Sequence, residues 1–209
     1  MIKEKQMGLF KEIYCADCGA KTNVLTRTKL RDKKYLCSKC SMKIPYYMIS
    51  TFTASYTFDL YNHFKEYIDY SNKYLRPMFM ETNSFYELHL DTIHMLLYIG
   101  SGITNDTVFF HLRNMEDYTL EFDPDEYKEG VFTERVKGNV TATIKMTDPP
   151  FLYHNKLAGG VKANASKSLF GSTVKYDNPK GMDEFDSALR ASWYADKVRE
   201  IKADNPDVF

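Results

Sequence analysis

The chain has 209 residues, of which 44% are hydrophobic and 15% aromatic, and its formal net charge is zero. This composition excludes a disordered chain and suits one large or two small domains. The sequence has no apolar run near the roughly 18 residues that a membrane span needs and no N-terminal segment typical of a secretion signal, so we expect a cytoplasmic protein.

Charge is distributed unevenly along the chain. Residues 1–45 contain 11 Lys and Arg against 4 Asp and Glu, a formal charge of +7, and residues 46–209 carry a formal charge of −7. A basic module joined to an acidic remainder indicates either an anionic partner or attraction between the two parts.

Four cysteines form the most specific motif in the sequence. They read C-x2-C-x18-C-x2-C, and they are the only cysteines in the chain: Cys15, Cys18, Cys37 and Cys40. Two close pairs of thiolates at this spacing predict one structural Zn²⁺ ion, with iron as the main competing metal. This paired spacing is typical of metal ligands and not of a disulfide framework, so a reducing compartment fits best. Gly19 follows the first pair, where a turn often requires a positive φ.

The cysteines define a predicted zinc ribbon over residues 1–45. Short strands are expected at Asn23–Thr28 and Lys33–Leu36, and Val24 and Leu25 are among the few apolar residues available for its core. A core of that size needs the metal to stay folded. Basic residues concentrate between the two cysteine pairs, and four of them are candidate contacts for an anionic partner: Lys29, Arg31, Lys33 and Lys34.

Residues 46–78 form a predicted linking helical segment. Apolar residues recur at three- and four-residue steps, and Thr57 is a plausible N-cap with Asp59 in the first turn. Pro77 marks the expected end of the helix.

Residues 79–209 form a predicted β-rich domain that ends in a helix. Alternating residues from Phe85, a turn at Asp91-Thr92 and an apolar run to Ile99 predict a hairpin. Breakers separate the later strands, and one of them is Gly138-Asn139. Residues 155–171, which are rich in Gly, Ala, Asn and Ser, predict a long loop. Residues 179–203 have an amphipathic helical pattern that places Trp193, or alternatively Ser192, on the core face. The predicted strands lie at 107–112, 117–122, 132–136, 140–146 and 172–176.

Many antiparallel strands followed by one helix suggest an α+β fold, with a pleckstrin-homology-like (PH-like) barrel capped by the C-terminal helix. The remaining polar residues form no recognisable catalytic motif. The histidines lack metal-ligand spacing, although His89 and His94 flank the predicted hairpin turn. We therefore expect no enzymatic activity, no catalytic residues, no cofactor besides zinc and no small-molecule substrate.

The stretch from Met7 to Pro45 resembles a family of short proteins from Gram-positive bacteria and their phages. Members open with MGLF, continue with C-x2-C-G and a KL-x-D step, and end the ribbon with a second C-x2-C. The resemblance implies four metal-binding cysteines, a following helix and a PH-like region. It implies no catalytic residues, because the family is a domain of unknown function.

The sequence thus predicts a zinc-ribbon interaction or regulatory protein that binds a protein partner. The resemblance implies that phages or mobile elements encode it. The alternative is a nucleic-acid-binding regulator that uses the basic ribbon, with Tyr14 and Tyr35 as stacking faces.

Overall fold

The structure is a computed structural model that describes residues 12–49, 55–103, 107–128, 134–167 and 174–204. In these residues it contains three antiparallel sheets, and helices occur between and after them. The chain divides into an N-terminal unit, Met1–Lys65, and a C-terminal unit, Glu66–Phe209. Among the described residues, none of the helices has both the length and the apolar character that crossing a membrane requires.

The N-terminal unit is built on a two-stranded hairpin followed by short helices. Strand β1 (Thr28–Lys29) pairs antiparallel with β2 (Tyr35–Leu36). Val24 and Leu25, expected in the core, are instead exposed (59% and 90%) in the turn that precedes β1. Two helices, α1 (Ser38–Ser41) and α2 (Tyr46–Ile49), follow the hairpin, and α3 (Phe58–Tyr70) comes next. The core is formed by apolar residues of the hairpin, of the connection between α1 and α2, of α2 and of α3: Leu30, Leu36, Ile44, Met48, Tyr61 and Phe64.

Helix α3 begins where its capping signal predicts. The Leu60 N–H donates to Thr57 Oγ1 at 3.3 Å, so the threonine satisfies one of the N–H groups that lack a partner in the first turn. Asp59 lies in that turn, where a carboxylate interacts favourably with the helix dipole. A π-helical turn (Ser71–Leu75) and a 3-10 turn (Arg76–Met78) follow, and helical structure ends just after Pro77.

A four-stranded sheet occupies the first part of the C-terminal unit, and it contains the predicted hairpin. Its order is β3 (Asn83–Phe85), β4 (Leu88–Asp91), β5 (Leu96–Ile99) and β6 (Phe109–His111). Strand β5 is apolar throughout and buried at every position. Side chains from this sheet and the preceding turn pack in one aromatic-rich cluster: Leu75, Phe79, Leu96, Tyr98 and Phe109.

A second four-stranded sheet has much longer strands. Its order is β10-β9-β8-β7, formed by β7 (Met115–Lys128), β8 (Glu134–Thr147), β9 (Pro150–Lys167) and β10 (Val174–Tyr176). The predicted loop at 155–171 is wrong as far as Lys167, because β9 continues through it with partners on both sides. The predicted break at Gly138-Asn139 is also wrong. There β8 continues, and a register shift absorbs the irregularity.

The chain closes with α4 (Met182–Asp204), which agrees with the predicted C-terminal helix. Met182, Phe185 and Leu189 are buried, as the pattern indicates, but Trp193 is only half-buried and Ser192 is buried in its place. Trp193 Nε1 donates to the Met115 carbonyl at 2.8 Å. The fold is α+β, as predicted. Both large sheets have two edge strands in the part of the chain that the structure describes, so a closed barrel is not shown.

Candidate metal centre

The first cysteine pair lies on a turn that glycine makes feasible. The Cys15 N–H donates to the Ala20 carbonyl at 2.8 Å, and the Gly19 N–H donates back to the Cys15 carbonyl at 2.9 Å. Gly19 has φ = +70°, which confirms the positive φ expected there. This turn brings Cys15 and Cys18 to the same side of the loop.

The second pair lies at the junction of β2 and α1. Cys37 occupies the N-cap position of α1, and its carbonyl accepts the N–H groups of Cys40 (3.1 Å) and Ser41 (2.9 Å). One turn of helix therefore separates Cys37 from Cys40 and lets both side chains face the first pair. The Cys37 N–H also donates to Cys15 Sγ at 3.3 Å.

The four sulfur atoms come together at one point. All of them lie within 4.8 Å of one another, and Cys18 Sγ is 3.8 Å from Cys37 Sγ. Sulfur atoms bound to one tetrahedral ion at about 2.3 Å are about 3.8 Å apart, whereas a disulfide needs about 2.05 Å. Cys15, Cys18, Cys37 and Cys40 can therefore hold a metal ion.

The surroundings affect individual thiols in opposite ways. Burial raises the pKa of Cys15, but the N–H groups of Cys18, Cys37 and Asp17 outweigh that effect and lower it to about 6. Burial, the Asp17 carboxylate and the neighbouring sulfur atoms raise the pKa of Cys40. Four thiolates this close repel one another, and a divalent cation at their centre would supply the compensating charge.

Asp17, between the first two cysteines, holds the loop through a nearly buried ion network. Its side chain is 7% exposed and contacts Lys65 Nζ at 2.5 Å and Lys43 Nζ at 3.0 Å. The Tyr61 hydroxyl lies 3.0 Å from Asp17 Oδ2 and 3.2 Å from the Cys40 carbonyl. The Lys65 ammonium, as the main cause, holds the pKa of Asp17 well below its usual range. No local sequence pattern predicts this network.

The four basic residues proposed as partner contacts lie in and around the turn between β1 and β2, and all are exposed. Lys34 has local partners, since its Nζ lies 3.6 Å from Asp32 and 4.6 Å from the centre of the Phe58 ring. Lys29, Arg31 and Lys33 have no side-chain ion pair with any described residue. We call this group of four the basic hairpin.

The expected stacking tyrosines differ in access. Tyr14 is 55% exposed and donates its hydroxyl hydrogen to Glu12, whereas one face of Tyr35 is covered by the Arg27 guanidinium at 4.6 Å. Only Tyr14 therefore offers an open ring.

The two histidines near the β4–β5 turn have separate partners. His89 Nδ1 lies 2.8 Å from Glu81 and its ring stacks on Tyr98, while His94 Nδ1 lies 2.7 Å from Asp91. Among the described residues, the four cysteines are the only group of three or more His, Cys, Asp or Glu side chains placed to share a metal ion.

Comparisons of this chain with protein-family models, with curated proteins and with solved structures found no match.

Proposed function

We propose that this protein is a non-enzymatic interaction protein whose N-terminal unit is stabilised by one Zn²⁺ ion and binds a protein partner. The observation that carries the proposal is the cluster of four sulfur atoms within 4.8 Å of one another. A shell of four thiolates leaves no open position for substrate or water, so the ion would have a structural role. Tetrahedral sulfur ligation also suits iron, and metal analysis distinguishes the two.

The exposed positive charge of the basic hairpin favours a partner that carries negative charge. Lys29, Arg31 and Lys33 are exposed on a short turn that the adjacent metal centre would hold in place. An acidic protein surface is our preferred partner. Nucleic acid is the alternative, and the exposed ring of Tyr14 favours it. The phage or mobile-element origin is a part of this proposal that rests on the sequence resemblance. The PH-like architecture rests on that resemblance and on the predicted order of strands and helix, and the cytoplasmic location rests on the paired spacing of the cysteines.

Metal content of the purified protein tests the structural role of zinc. Elemental mass spectrometry should find one zinc ion per chain in the wild type. The Cys15→Ser and Cys37→Ser variants should clearly lose zinc, because a closed shell of four thiolates has no spare ligand. Ser38→Ala, next to Cys37 but outside the shell, is the matched control and should retain its zinc. A metal-free wild-type protein, or full zinc content in either cysteine variant, would refute the metal assignment.

Two binding measurements on a variant of the basic hairpin separate a protein partner from a nucleic-acid partner. A variant with all four basic-hairpin residues changed to Gln should lose its protein partner in affinity capture from the host. A control variant loses four exposed charges elsewhere: Lys156, Lys162, Lys180 and Arg199. If the wild type instead binds generic DNA or RNA with affinity that falls steeply with salt, and the hairpin variant does not, the nucleic-acid alternative is correct.

A further inference from the structure

Strand β7 lies at one edge of its sheet. Among the described residues, it pairs with β8 alone. Helix α4 contacts its beginning, where Trp193 donates to Met115 and packs edge-on against Tyr118. From Thr119 to Asp125, no described residue hydrogen-bonds to the outer backbone groups. A long strand edge of this kind is a template on which another extended chain can pair.

A pocket of about 610 Å³ lies beside the same part of β7. Apolar side chains line it, including Phe122, whose ring centre is 5.9 Å from that of Tyr176 in an edge-to-face arrangement. Tyr176 remains 45% exposed. The carboxylates of Glu121 and Asp123 belong to the same lining. Because neighbouring side chains of a strand point to opposite faces, the edge offers an aromatic wall on one face and negative charge on the other to a chain that pairs along it.

The negative charge of β7 favours a basic chain as its partner. Its 14 residues include six acidic residues and one lysine. Glu116 is paired with Lys145 at 2.6 Å, but Glu121 and Asp123 are exposed and have no cationic partner among the described residues. A second copy of β7 would place carboxylates opposite carboxylates, which disfavours self-pairing. A basic strand would instead neutralise them.

We propose that β7 and this pocket form a docking site for an extended, lysine- or arginine-rich peptide segment of a partner protein. The segment adds to the sheet as a strand, with its backbone paired to β7, its cationic side chains at Glu121 and Asp123, and the alternate apolar side chains toward Phe122 and the Tyr176 ring. The inference extends the proposed role in protein binding to a second surface. It involves neither the metal centre nor the basic hairpin.

A labelled synthetic peptide of about eight residues, with alternating Lys and Val, tests the proposal by fluorescence anisotropy on the full-length protein. We expect saturable binding. The double variant Glu121→Lys/Asp123→Lys should lower the affinity by about tenfold, because two attractions become repulsions on an exposed surface. The matched control is Glu184→Lys/Glu200→Lys, which makes the same charge change on exposed positions of α4 and should bind like the wild type.

Backbone pairing is tested with two further peptides, each N-methylated at alternate residues so that one edge of the strand cannot donate hydrogen bonds. One of the two should lose binding and the other should keep it. The proposal is overturned if both methylated peptides bind like the parent, if a Glu-Val peptide binds as well as the Lys-Val peptide, or if no binding occurs up to about 1 mM. Zinc content is unaffected by these variants, so failure here is distinguishable from failure of the zinc assignment.

Discussion

At the scale of single residues, Asp91 is the clearest case of a polar group that the fold depends on. Its side chain is fully buried and accepts hydrogen bonds from the N–H groups of Met80, Ile93 and His94 and from His94 Nδ1. Burial raises the pKa of this carboxyl, but the hydrogen bonds outweigh it and the pKa is lowered. The ionised form therefore stabilises the turn between β4 and β5.

Asp91→Asn should lower the free energy of unfolding by about 2 kcal/mol at pH 7, because the amide places hydrogens where the carboxylate accepts them. Since the folded pKa lies below the unfolded value of about 3.9, the contribution of Asp91 is present above pH 4 and is lost as the pH falls further. Urea unfolding at pH 7 and about pH 3 measures both effects. Asp69→Asn, at an exposed position, is the control. Equal losses in the two variants would contradict this account.

Position 138 requires glycine because β8 approaches β7 closely there and leaves no room for a side chain. A Cβ added there would lie 2.2 Å from the Asp123 carbonyl oxygen and 2.8 Å from Pro124 Cα, and the backbone of β7 cannot give way cheaply. Gly138→Ala should therefore destabilise the C-terminal unit by about 1–3 kcal/mol in chemical unfolding. Gly102→Ala, whose Cβ would meet nothing within 4 Å, should change stability little. Similar stability of the two variants would show that the strands are not so close.

At the scale of elements, the start of α3 gives a quantitative test. Thr57→Ala removes the acceptor for the Leu60 N–H and should cost about 1 kcal/mol of stability. Thr57→Ser keeps the hydroxyl and should restore most of that loss. Thermal unfolding followed by circular dichroism compares the three proteins. A serine variant as unstable as the alanine variant would mean that the methyl group, not the cap, matters.

Elements with strong local signals were predictable, and those defined by their neighbours were not. The α3 cap, the β4–β5 hairpin and α4 follow from periodicity and capping residues. Strand β9 did not, because residues 155–167 have a composition poor in strand formers and become a strand through pairing with β8 and β10. Likewise Gly138-Asn139 reads as a turn, yet β8 continues through it because β7 and β9 pair on either side.

The candidate metal centre likewise has one part that the sequence predicts and one part that it does not. Cysteine spacing is a local signal, and it located all four sulfur atoms that are close enough to hold a metal ion. The ion network around Asp17 depends on Lys65, which is 48 positions away and approaches only when α3 packs on the ribbon. A charged residue inside C-A-D-C was the only available hint, and exposed charges are common in such loops.

At the scale of the whole molecule, the two units differ in what keeps them folded. The N-terminal unit has two-residue strands and a small apolar core gathered around the cysteines. The C-terminal unit has two four-stranded sheets and many fully buried aromatic and aliphatic side chains. A small core is marginal without a metal, whereas the larger one can be stable by itself. A single unfolding transition is therefore not expected.

Removal of the metal should unfold one unit and spare the other. After treatment with a strong zinc chelator, hydrogen exchange read by mass spectrometry should show fast exchange at residues 12–49. Peptides from β4, β5 and β8 should keep their protection, because the described residues of their sheets include no group placed to share a metal ion. Adding zinc back should restore slow exchange, and Cys15→Ser should resemble the chelated protein throughout. If chelation removed hydrogen-exchange protection uniformly along the chain, or left it unchanged at residues 12–49, the N-terminal unit would not depend specifically on the metal.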